Sequence, residues 1–189
     1  MGIDNMLITR EREKLLNAIV YFAENTRHCG KTKLFKLLFL LDFEHFKLTG
    51  RSVTGLDYYA LPKGPVPVAL DSELDEPQGD LSSTIELVPE QVIDFSRLRV
   101  KPKKTFDPSH FSKRELRLLE DIANRYQDQY SQGMVDVTHA ENGVWEKIYA
   151  DGKGLNQLIP YQLAVTGADS AAVLSMAEEY AAMKQHFIA

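Results

Sequence analysis

Residues 33–48, KLFKLLFLLDFEHFKL, constrain this chain more than any other segment. Leu34, Leu37, Leu38 and Leu41 recur at i, i+3, i+4 and i+7, and Phe35, Phe39, Phe43 and Phe46 widen the stripe. A helix that is apolar over most of its circumference has no face to offer water, so it belongs in the middle of a core. The other elements must be arranged around it. Its nearly apolar run, Leu37 to Leu41, is far too short to cross a bilayer. Gly50 is placed to end it.

The flanking pattern supplies the surroundings. Thr9 can cap a first helix running to about Asn25, with Leu15, Ile19 and Phe22 on one stripe. Gly30 breaks the chain and Thr32 can cap the central helix. Tyr58 and Tyr59 suit a short strand and Lys63-Gly64 a turn, after which a helix can run from about Pro67 to about Glu76. From Gly79 to Pro108 the pattern alternates, with Ile85 and Leu87, then Leu98 and Val100 between Arg97, Arg99 and Lys101, as in half-buried strands. Ser112 and Glu115 form a capping box for a helix with Leu119, Ile122, Ala123, Tyr126 and Tyr130 on one face. Short helical pieces follow at 134–140 and 144–149, separated by Asn142-Gly143. A last helix starts near Asp169 or Ser170 and carries Val173, Met176, Ala177, Tyr180, Met183 and Phe187. The expectation is an α+β fold, predominantly α-helical, with a helical core around the central apolar helix and a small antiparallel β-sheet or hairpin. No linker or repeat divides the chain, so residues 1–189 are read as a single domain.

Composition narrows the function. The apolar fraction of 44% is ordinary for a globular domain, and the lone cysteine, Cys29, rules out an internal disulfide. The opening MGIDNMLITREREK holds no apolar run fit for a signal peptide, and a reducing cytoplasm suits such a chain. A net charge of −5 argues against a general phosphate-binding surface. The charge is nevertheless uneven. Asp71, Glu73, Asp75, Glu76, Asp80, Glu86, Glu90 and Asp94 run without an intervening Lys or Arg, and then come Arg97, Arg99, Lys101, Lys103 and Lys104. Such a block is either a solvated loop beside a solvated strand or a bipolar patch that steers a charged partner.

Catalytic patterns find little purchase. CGKTK resembles the end of a Walker A loop, but Asn25 stands where the first glycine is required and a helix precedes where a strand is needed. His139-Ala140-Glu141 matches half of a zinc deaminase signature whose paired cysteines are absent. Asp42 and His45, three apart, can meet on one helix face, either as a satisfied polar cluster or, with His139, as a metal or acid–base site. No Ser/His/Asp set is brought together by the sequence, and His28 beside Cys29 is an adjacent pair unsuited to one substrate. A helix-turn-helix would need a basic recognition helix open to the groove. The helix after Gly30 is apolar, so no direct nucleic-acid contact is expected.

These segments, in this order, resemble the Panacea domain of SocA-like antitoxins of bacteria and phages. The resemblance is carried by KLFKLLFLLDFEHFKLTGRSVTG, by Tyr58-Tyr59-Ala60 and Gly64-Pro65-Val66, and by FSKRELRLLEDIANRYQDQY followed by Thr138-His139 and Trp145. Leu61 stands where relatives often carry an aromatic, and Val144 where many carry Pro. The resemblance implies a non-enzymatic antitoxin, without cofactor or metal, that neutralises a cognate protein toxin, typically encoded next door, by direct contact. Asp42, His45, Tyr58, Gly64, Pro65, His139 and Trp145 match the family motif, and Tyr58, Lys63 and Trp145 are the expected partner contacts. An adaptor without a toxin, or a small metal-dependent hydrolase using Asp42, His45 and His139, are the alternatives.

Overall fold

The computed structural model describes residues 9–92, 95–140 and 143–188. Asp94, Asn142 and the Phe187 side chain, all used in the sequence reading, lie outside what it describes. The helices are α1 (Glu11–Asn25), α2 (Lys31–Thr49), α3 (Val68–Asp75), α4 (Gly79–Thr84), α5 (Lys113–Arg125), α6 (Ser131–Ala140), α7 (Val144–Tyr149) and α8 (Ser170–Ile188). Two antiparallel hairpins complete the frame: β1 (Tyr59–Leu61) with β2 (Gly64–Val66), and β3 (Ile85–Val92) with β4 (Phe95–Pro102).

The central helix is the expected pillar. Every residue from Lys33 to Phe43 on α2 is buried, because α1, α5, α6, α8, β2, β4 and the short turn at Tyr161–Ala164 pack around it. Burial continues through His45 and Phe46, but Leu48 is 61% exposed, so the pillar stops short of the expected Leu48. Gly50 ends the helix at φ +68, where a Cβ would lie 2.7 Å from the Ala177 backbone nitrogen of α8. That contact requires glycine.

Polar side chains on such a helix have no water to turn to, and an unpaired buried polar group is costly. Each of four finds a loop instead. Lys33 Nζ donates to the carbonyls of Arg27, Gln127 and Gln129 at 2.7, 3.1 and 2.7 Å, filling all three ammonium protons. Lys36 Nζ donates to Pro65 at 2.7 Å. Asp42 Oδ1 accepts from the amides of Val53 and Thr54, and Oδ2 from the hydroxyls of Thr54 and Tyr58. His45 Nδ1 meets the Arg51 carbonyl at 2.7 Å.

Local starts and stops differ from the pattern at several boundaries. Arg10, not Thr9, precedes α1, with a left-handed φ of 50° and no side-chain cap. Gly30 caps α2 in place of Thr32, in extended backbone bridged to Arg99 of β4. The expected alternation from Gly79 begins instead with α4, where Ser82, Ser83 and Thr84 return their hydroxyls to backbone carbonyls within the turn. The capping box opens α5, with Ser112 N donating to Glu115 at 2.7 Å. Tyr130, expected on the buried face of that helix, lies beyond its end and is 58% exposed. On α8, Val173 and Ala177 are buried, while Met176 and Met183 face outward.

The two lysines make a pH prediction. Burial lowers Lys36 to about 7 and Lys33 to about 8 from an ordinary 10.5. Between these values and 10.5 the unfolded chain binds protons that the fold does not, so stability rises with pH through that window. Cys29, raised to about 11 from 9.0 by burial, acts in the opposite sense above pH 9. Urea midpoints should therefore rise across roughly pH 7–9 and flatten in a Lys33→Met, Lys36→Met protein. A midpoint that falls over this range in the parent chain contradicts the assignment.

Candidate functional site

Of the family-like motif, Gly64, Pro65, His139 and Trp145 gather at the β1–β2 hairpin. Pro62 and Lys63 form its turn, with Leu61 opposite Gly64 and Tyr59 opposite Val66. Gly64 sits at φ +98, and a Cβ there would lie 2.9 Å from Lys36 Nζ and 3.2 Å from Thr138 Oγ1. The backbone can pass over the lysine only without a side chain. Lys36 then holds Pro65 by its carbonyl, and Trp145 Nε1 holds Leu61 by its own at 2.9 Å. One strand is gripped from α2 and the other from α7.

Trp145 is itself clamped. The His139 ring stacks on it at 3.7 Å with a 3° tilt, and Tyr149 also stacks on it at 4.6 Å and 14°. Buried Thr138 ties back to the carbonyls of Met134 and Val135. His139 Nε2 is the buried side-chain atom left without a hydrogen bond among the described residues. Burial lowers the His139 pKa, and the charge of Lys36 adds to the effect. Beside the turn lies a groove of about 340 Å³, lined by Phe35, Lys36, Leu61, Pro62, Lys63 and Val66 among others.

A second node lies behind the hairpin. Asp42, fully buried, fastens residues 53–58 through Val53, Thr54 and Tyr58, and burial raises its carboxyl to about 6 against the four donors that favour the ion. Phe39 and Phe43 pack edge-on against Tyr58, and Tyr161 stacks on Phe46. Tyr161 also donates to the Leu56 carbonyl at 2.6 Å. His45 belongs to neither node. It holds the Arg51 carbonyl at the other end of α2.

Asp42 and His45 fasten successive parts of the connection from α2 to β1, whereas His139 stacks on Trp145 of α7, so the three do not converge. Among the described residues no three His, Cys, Asp or Glu side chains are placed to share a metal ion. The metal-hydrolase alternative loses its geometry for this reason. Cys29 is buried with its thiol pushed up, while His28 stacks on Tyr130 and meets Arg97, so that adjacent pair points two ways. Of the three expected partner contacts, Tyr58 is 0% exposed and Trp145 7%, both turned to interior work, whereas Lys63 is exposed at the turn. The uneven charge is largely cross-paired: Arg12 with Glu73 and Asp80, Lys31 with Asp71 and Asp75, Arg97 and Arg99 with Glu90, and Lys101 with Glu86. A bipolar patch open to a partner is correspondingly reduced.

A family model described as "Antitoxin SocA-like, Panacea domain" matches residues 34–146, more than half of the chain. The chain belongs to the SocA-like antitoxin family. No curated protein and no solved structure matches it. The Panacea segment runs from α2 to the first turn of α7, so it contains the hairpin and every residue of both nodes that grips it from α2, α6 and α7, while α1 and α8 flank it. Within the Panacea domain, sequence reasoning missed Lys36 and Thr138 as members of the node, and Lys33 lies one residue before the matched segment. A signal was present: two lysines, i and i+3, inside an otherwise apolar helix surface.

Two measurements test the node. Trp145 is the sole tryptophan, so its emission reports the stack. Emission should fall as His139 gains a proton, with a midpoint below 6.5, and His139→Gln should remove the transition. Gly64→Ala should destabilise the fold by about 2 kcal/mol or more, through both its positive φ and the Lys36 contact. A neutral Gly64→Ala would show that the hairpin is not held as described.

Proposed function

We propose that this chain is an antitoxin that neutralises a cognate protein toxin by direct contact, using the β1–β2 turn around Lys63 as part of the contact surface. The observation that carries the reading is the inward orientation of the family motif. Lys36 holds the hairpin at Pro65 and Trp145 at Leu61, His139 backs Trp145, Gly64 lets the backbone pass over Lys36, and the turn is left exposed. Such a mount suits recognition, because a preformed surface loses little conformational entropy on binding. The family description supports an antitoxin role, and the dispersal of Asp42, His45 and His139 weighs against the metal-hydrolase alternative.

The partner in this reading is a protein encoded by an adjacent gene, and the whole chain acts as one unit in the cytoplasm. No helix among the described residues is long and apolar enough to cross a membrane, which is consistent with that setting. The buried state of α2 leaves no exposed recognition helix there for DNA, so contact with nucleic acid is not part of the proposal. Tyr58, Asp42 and His45 have scaffold roles. Neutralisation by contact asks for an interface of about 800 Å² per partner with a few anchoring residues.

Co-expression decides the matter. The neighbouring open reading frame, expressed alone, should arrest growth, and this chain should restore it and copurify with the product. Lys63→Glu should weaken the copurified complex roughly tenfold while leaving the melting temperature unchanged. A harmless neighbour, or one that does not bind, sinks the reading.

A further inference from the structure

At the opposite end of α2 from the hairpin, about 14 Å along the axis from Lys36 at the usual helical rise, a cleft of about 740 Å³ opens between α1, α2, α5 and α8. His45 stands in its wall, 7% exposed. Its Nδ1 faces the Arg51 carbonyl, which can only accept, so the neutral ring carries its proton there and presents a bare Nε2. Nε2 has no hydrogen bond among the described residues. A largely buried side chain that opens one unused acceptor onto the wall of a cleft is placed for a ligand.

The charges around it are unequal in how far they are satisfied. Glu115 is held by Lys14 at 2.6 Å and by the Ser112 amide, and Glu11 by Lys184 at 2.8 Å. Among the described residues, Arg51 and Arg114 have no carboxylate partner. Arg51 lies 4.3 Å over the Tyr180 ring, which orients its guanidinium without neutralising it. Arg114 lies in the first turn of α5, a 13-residue helix whose leading amides carry partial positive charge. Glu179, on the α8 wall, is the lining acid left without a cation among the described residues. Leu48, Met176 and Met183, all exposed, give the cleft an apolar side.

We infer that this cleft binds a small organic anion, a carboxylate or phosphate monoester on an apolar body. Arg114 and Arg51 hold the charged head, and His45 Nε2, an acceptor in the neutral ring, accepts from the hydroxyl of a phosphate monoester head. Leu48, Met176 and Met183 cover the body, and thioether side chains adapt readily to irregular apolar shapes. The site is separate from the hairpin, so its test stands apart from toxin neutralisation.

Calorimetric titration of the full chain with phenyl phosphate, phenylacetate, inorganic phosphate and phenethylamine tests this. At least one aryl anion should bind with one site and a Kd of about 1 mM or tighter. Inorganic phosphate should bind more weakly, and the amine should not bind. Phenyl phosphate tighter than phenylacetate assigns the site to phosphate esters, and the reverse order assigns it to carboxylates. Arg114→Ala, at an exposed position, should weaken the anion about tenfold with an unchanged melting curve. The His45 Nε2 resonance should shift on titration. Failure of both aryl anions to bind, equal binding of phenethylamine, or an affinity indifferent to Arg114→Ala overturns the inference.

Discussion

The structure depends on one constraint: α2 is surrounded, so each polar side chain on its buried length must find a partner in the protein. Helices with a wet face can leave a lysine in solvent. This one cannot, and its four buried polar side chains reach out to backbone that would otherwise have no reason to come near. Lys33 draws together the ends of α1 and α5, Lys36 the hairpin, Asp42 the loop that leads into it, and His45 the exit from α2 itself. A hydrogen bond to a charged group is worth more than a neutral one, and leaving its partner empty costs more still. Loops that carry few apolar residues are thereby fixed with the rigidity of the core.

The lysines illustrate the balance. Removing an ammonium from water is so unfavourable that Lys36, with its single carbonyl acceptor, has its pKa brought to about 7. Lys33, whose burial is countered in part by nearby groups such as the Asp128 carboxylate, is displaced less. The residue that gives up most charge stability is the one directly beneath the hairpin, with Gly64 pressed on it and Thr138 close by. Burying an amine there makes sense as placement of a backbone turn, since an apolar side chain at the same position could fill the volume and would leave the Pro65 carbonyl unclaimed.

Much of this could be read from residues alone, and the limits have physical causes. Periodicity located α2, the ends of α7 and the β3–β4 alternation because those signals arise within a few residues of each other. The Ser112–Glu115 box was legible for the same reason. Caps at Thr9 and Thr32 failed because Arg10 and Gly30 take the pre-helical conformations, and at Gly30 the backbone is committed to a bridge with β4 that lies about seventy residues away in sequence. The stacking of His139 on Trp145, and the reach of Trp145 to Leu61, join segments that no local pattern connects. Tyr161, which closes the aromatic cluster on Tyr58, sits in a stretch with no periodicity at all. Lys33 and Lys36 were visible as anomalies, and their meaning depended on which carbonyls the tertiary fold would bring.

A motif made of inward-facing groups has a consequence for the proposed role. Lys36, Gly64, Thr138, His139 and Trp145 determine where the β1–β2 backbone runs, and they make no demand on the side chains at its outer turn. Lys63 can change charge or size without disturbing any of the bonds beneath it. Contact chemistry and fold are therefore separable in this molecule: substitutions at the turn alter what the surface can bind, whereas substitutions in the node alter whether there is a surface. Tyr58 falls on the fold side of that division despite its hydroxyl, because the hydroxyl is consumed by Asp42. For an antitoxin, selection of a partner would then rest on the exposed residues around the turn, supported by a mount that remains the same whichever partner it meets.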